Sequence, residues 1–155
     1  MRTVHWLFAV SVLLFVTSIW FLVVGARNAQ GKSAGSAPVA SVKQIMNGII
    51  VPASNAIYSA VSTSVTAAGI EEVAPQNDAE WEALGANAAA LVEAGNLLLV
   101  EDRAKDSGEW ATQSRAMVDG ATKALKATDE RNPDGILDAG EAINNSCDAC
   151  HQKYQ

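Results

Sequence analysis

Apolar residues recur at helical spacing four times along the chain. In the first segment Val42, Met46, Ile49, Ile50, Ala53, Ile57, Ala60 and Val61 advance in steps of three and four, which predicts a helix with one buried face. Pro52 interrupts it. A proline removes one backbone N–H and crowds the carbonyl four residues back, here that of Gly48, so a kink or a late restart is expected. The second stripe is Trp81, Leu84, Ala88, Leu91, Val92, Gly95, Leu98 and Leu99, with Asn77 and Glu80 at capping-box spacing ahead of it. The third begins near Asp106, with Glu109 in the matching position, and runs Trp110, Ser114, Met117, Ala121, Ala124, Leu125 and Thr128. Asp129-Glu-Arg-Asn-Pro-Asp-Gly135 then carries a strong turn signal. The last stripe is Ile136, Gly140, Ile143, Cys147, Cys150, His151 and Tyr154. No stretch alternates with period two for long, and no β-branched cluster is bounded by hairpin turns, so strands are not expected.

Four helices joined by fairly short links bury such stripes only by packing on each other. The expected fold is all-α, an antiparallel four-helix bundle over residues 40–155. The stripes are heavy in small residues: Ala86, Ala88, Ala89, Ala90, Ala94 and Gly95 fall in one helix. Small side chains let helices approach closely, or they leave room for something bulky that is not protein.

The start of the chain is different. Leu7 to Ala26 are twenty consecutive residues without a charge, preceded by Arg2 and His5. Cleaved signals have apolar stretches of about 7–15 residues and spanning helices about 20, so this run sits at the spanning length. Of the cleavage candidates, Val24-Gly-Ala26 offers small residues, Arg27-Asn-Ala29 puts a charge where a small residue is wanted, and Pro38 spoils the site at Ala37. Residues 1–26 are therefore read as a signal peptide or a membrane anchor, and either sends the body out of the cytoplasm. Residues 27–39, small, polar and glycine-containing, read as a flexible linker.

Charge narrows the partners. After Arg27 the chain carries nine basic and seventeen acidic side chains, a formal −8, which argues against nucleic acid. The two cysteines, Cys147 and Cys150, are too few for a disulfide-stapled miniprotein, and His5 and His151 too few for a multi-histidine metal centre in the body.

Cys147-Asp-Ala-Cys150-His151 is a C-x-x-C-H sequence, the attachment signature of c-type haem. Cysteines three apart lie on one helical face about one turn from each other, so each thiol can form a thioether with one of two vinyl groups on one porphyrin edge. The imidazole of His151 follows directly and can take the iron as proximal ligand, with its other ring nitrogen held by a carbonyl or water. Three other readings are weaker. A thioredoxin-type pair belongs in a βαβ unit. A disulfide between residues 147 and 150 closes too short a loop to stabilise much. A zinc site needs further ligands.

With its haem motif on the final helix, a few residues from the end, the chain resembles the cytochrome c-prime and cytochrome c-556 family. Ser146-Cys147-Asp-Ala-Cys150-His151-Gln-Lys-Tyr154 is similar to that family's C-x-x-C-H-x-x-aromatic ending; only this ending is highly specific, although the likeness extends over residues 40–155. A basic residue often ends the family's motif, where this chain has Gln155. The resemblance implies one covalently bound haem c per chain, and it implies a divided expectation for the sixth iron position. The c-prime type leaves that position open and binds small gases; the c-556 type fills it with a methionine of the first helix. Met46 is the matching residue, with core packing as its other reading. Met117 reads as flexible core filler. The family's basic residue facing a haem propionate has its nearest match in Lys43, which reads equally as a solvated lysine. Tyr154 is expected to pack at the haem edge, and Trp81 and Trp110 in the core.

These readings point to an exported, periplasmic or inner-membrane-tethered cytochrome carrying one electron between redox partner proteins, with a five-coordinate gas binder as the alternative. Related bundles pair through their first two helices, so the resemblance also implies a homodimer. No acid–base pair or partnered nucleophile points to an enzyme.

Overall fold

Ser41 opens the first helix with a full capping box. Its hydroxyl accepts from the Gln44 N–H at 3.3 Å, and the Gln44 side chain accepts from the Ser41 N–H at 2.9 Å. From there α1 (Val42–Ile45) runs unbroken into a π-helical turn, Met46–Ile50, and on into α2 (Val51–Ala60). The expected irregularity ahead of Pro52 takes this form: the Val51 N–H reaches back five residues to the Met46 carbonyl.

The computed structural model describes residues 38–155, together with Leu14, Phe15, Thr17, Ser18 and Trp20, which are helical. The chain divides into two units, Met1–Ala37 and Pro38–Gln155. Most of the leader or anchor and of the linker lies outside the described residues. Among the described residues no helix is long and apolar enough to cross a membrane.

The protein is mostly helical, as expected. Three long helices follow α2: α3 (Asp78–Leu98), α4 (Glu109–Asp129) and α5 (Pro133–Tyr154). Asn77 caps α3 by accepting from the Glu80 N–H at 3.0 Å, while Glu80 reaches one residue further back than a capping box requires, to the Gln76 N–H. Asp106 sits two residues before the α4 cap, where its carboxylate accepts from the Gly108 and Trp110 N–H groups. Asn132 caps α5 and Pro133 fills its first position, where no N–H is missed.

Consecutive helices are antiparallel neighbours. The Trp110 indole N–H at the start of α4 donates to the Leu98 carbonyl at the end of α3 (2.8 Å), while at their other ends Thr128 abuts Gly85. Trp110 likewise meets Tyr154 at the end of α5, with ring centroids 5.2 Å apart and planes at 81°, and Ala127 meets Gly135 at its start. The Tyr58 ring of α2 lies against Gly140, and Arg103 after α3 donates to the Ala40 carbonyl before α1. Ile57, Leu91, Ile136 and Ile143 fill the centre. Fully buried alanines such as Ala88, Ala121 and Ala139 let the helices approach closely.

One expectation fails. Residues between α2 and α3 form an antiparallel hairpin, β1 (Ser62–Thr66) and β2 (Gly69–Val73), with Ser64 opposite Glu71 and Val65 opposite Ile70. Every residue of both strands is exposed. A hairpin that buries neither face has no reason to alternate apolar with polar, so the period-two signal was absent. The legible signs were Thr63, Val65, Thr66, Ile70 and Val73 grouped around Gly69, whose φ of 136° suits only glycine.

Candidate functional site

The α5 face that carries Ile136, Gly140 and Ile143 into the core continues as Cys147, Cys150 and His151, all half-buried. Both thiols are free. They border a cavity of about 180 Å³ between α5, α4 and the π turn, whose wall also includes Met46, Met117 and Leu98. A second, larger cavity of about 540 Å³ shares Met46, Cys150 and His151 with the first and extends past Lys43 and Tyr154. The structure therefore brings together Lys43, Met46, Cys147, Cys150, His151 and Tyr154, six residues from the two ends of the described chain. The antiparallel packing of the first helical segment on α5 is what makes them neighbours.

Burial pushes both thiols up from their ordinary pKa, that of Cys147 more heavily shielded than that of Cys150. They are held as neutral S–H groups. Tyr58, which the sequence reading did not single out, stands beside Cys147 on the cavity wall. Burial first, then the neighbouring thiol, drives its phenol up to about 12. It falls one residue off the apolar stripe, so periodicity gave no sign of it.

In the same wall the buried Ser114 hydroxyl, 3% exposed, has no hydrogen-bond partner among the described residues, while that of Ser54, 5% exposed, faces the Tyr58 phenol. Buried polar groups are nearly always paired, so orphans mark a place where a partner is missing. Ser114 was visible as a polar member of an apolar stripe; Ser54 lay beside it unseen. Met117 is buried, and its methyl packs towards Gly95 of α3, as core filler should. Tyr154 is fixed by its edge-on contact with Trp110 and by a hydrogen bond from its hydroxyl to Asp106. That bond holds the Asp106 carboxyl below the usual carboxylate range. The Lys153 ammonium stands 5.2 Å from the Tyr154 ring centre. Trp81 and Trp110 are buried.

Among the described residues no three His, Cys, Asp or Glu side chains cluster as a self-sufficient metal site. Comparison of the chain with protein-family models, curated proteins and solved structures finds no match.

Proposed function

We propose that this chain is a single-haem c-type cytochrome built on an antiparallel four-helix bundle of the cytochrome c-prime and c-556 kind. The observation that carries the reading is the Cys147-x-x-Cys150-His151 face of α5 opening on cavities that Met46 also lines. The donor set fits: two neutral thiols, one imidazole and one thioether around apolar space, with the unpaired Ser114 hydroxyl in the same wall. A porphyrin fills four of iron's positions, so two axial side chains suffice and no larger ligand cluster is needed.

When bound, the haem supplies one iron that cycles between ferric and ferrous states. Cys147 and Cys150 would hold the porphyrin through thioethers, each S–H adding across one vinyl double bond without net oxidation. His151 would hold the iron through its imidazole and Met46 through its thioether, a soft neutral donor that would raise the potential relative to two histidines. Ile50, Leu98 and Met117 keep water from the centre. Lys43, exposed at the mouth of the larger cavity, offers an ammonium to a propionate. Tyr154 closes that cavity beside the ring edge. Such a protein passes one electron between redox partners outside the cytoplasm, after export by the apolar segment 7–26. An acidic surface selects positively charged partners.

The space beside Met46 favours one second reading, a five-coordinate iron that takes a small gas there. A reduced-minus-oxidised visible spectrum of the exported full chain separates the two. Low-spin c-type bands that disappear in Met46→Ala and persist in Met117→Ala support the electron carrier. A high-spin spectrum with rapid carbon monoxide binding supports the gas binder. A spectrum without haem bands sinks both.

A further inference from the structure

We propose that Pro52, acting through the π turn Met46–Ile50, is a positioning residue that turns Met46 towards His151 as the sixth iron ligand. The inference rests on the axial pair proposed above.

The buried face of α2 is Ile50, Ala53, Ser54 and Ile57, spaced by three and four. Continued backwards at α-helical spacing, that face reaches Met46 and Lys43 and leaves Ile45 pointing outward. The structure has the opposite order: Ile45 is 2% exposed, Met46 is half-buried and Lys43 is exposed. The step between the buried isoleucines is five residues, and the Val51 N–H to Met46 carbonyl bond closes that wider turn. One extra residue in a turn rotates everything before it by about 100°. Ile45 thereby takes the central core position, and Met46 moves to the flank that borders Cys150 and His151.

Pro52 is the local cause. It has no N–H for the Gly48 carbonyl, and its ring crowds that carbonyl in a straight helix. Packing around Gly48 does not force the turn, since a Cβ built there meets nothing within 4 Å. Replacing the proline restores the missing donor and removes the crowding, so α geometry becomes available to the segment. Lys43 and Met46 then rotate together, which couples ligand and propionate contact to one residue.

The test uses the full chain matured with haem, reading the methionine-to-ferric-iron charge-transfer band and the rate of carbon monoxide binding to the reduced protein. Wild type shows the band, and Met46→Ala abolishes it. Pro52→Ala, and Pro52→Ser with the same restored N–H, weaken the band and speed carbon monoxide binding by about tenfold as the ligand-free population grows. Gly48→Ala leaves the proline in place and keeps the band. Helical content by circular dichroism stays at the wild-type level in all of them. A band abolished by Met46→Ala but untouched in both Pro52 variants overturns the proposal and leaves the ligand assignment standing. A wild-type spectrum indifferent to Met46→Ala removes the ligand assignment, and this proposal with it.

Discussion

The hydroxyl of Ser114 shows what one residue reveals about the whole. It sits in an apolar stripe, 3% exposed, with no partner among the described residues, on the wall of the cavity that Cys147 borders. An unpaired buried hydroxyl costs about 1–3 kcal/mol, so a fold that keeps one at its centre keeps it for something else. In haem-free protein, Ser114→Ala is expected to hold or raise stability, by about 1 kcal/mol, read as the urea midpoint. A clear loss of stability would mean that the hydroxyl is paired after all. The proposed haem-binding residues Cys147, Cys150 and His151 were legible in the sequence because C-x-x-C-H is contiguous and its spacing carries its chemistry. Ser54 and Tyr58 were not, because what makes them notable is where distant parts of the chain meet: burial on the cavity wall for one, the Cys147 thiol for the other.

Between elements, contact is set by glycine and alanine. Helix α4 approaches α5 so closely at Gly120 that an added Cβ would fall 2.9 Å from Ile143 Cγ1 and 3.1 Å from its backbone nitrogen. The second of these cannot rotate away. Gly120→Ala is expected to destabilise the protein by about 1–3 kcal/mol despite its better helix propensity, measured by chemical denaturation. The same two helices are clasped at their other end by Asp106 and the Tyr154 hydroxyl. Because the folded carboxyl lies below its ordinary value near 3.8, the clasp contributes fully above that pH and is lost as pH falls through the folded value. Thermal midpoints followed from neutral to strongly acidic pH should fall more steeply in wild type than in Asp106→Asn. Equal slopes would remove the clasp from the account. Helices α3, α4 and α5 could be read from periodicity, since each buries a single stripe; the first segment was read as helical, but Ile45 is buried there in place of Met46, and Ile49 is exposed. The hairpin could not, because it buries nothing, and the π turn was visible only as a proline in the wrong place.

At the scale of the molecule, the hairpin stands apart from the helical body, with Val65 77% and Ile70 69% exposed. An isolated two-stranded hairpin gains little stability of its own. Replacing residues 62–73 with a short glycine–serine link is therefore expected to leave the thermal midpoint within a few degrees and the spectrum unchanged; a collapse of either would give the strands a packing role that their exposure denies. Net charge acts on the whole surface as well. With a basic redox partner, the bimolecular electron-transfer rate should fall as salt is raised, through the association step. Above all these stands the proposed union of α5 with a porphyrin, and the most direct test is the intact mass of the chain purified from a host able to mature c-type cytochromes. Covalent haem attachment predicts a mass greater by one haem, retained on denaturation, with Cys147 and Cys150 closed to alkylation. A bare polypeptide whose two thiols both alkylate would contradict it.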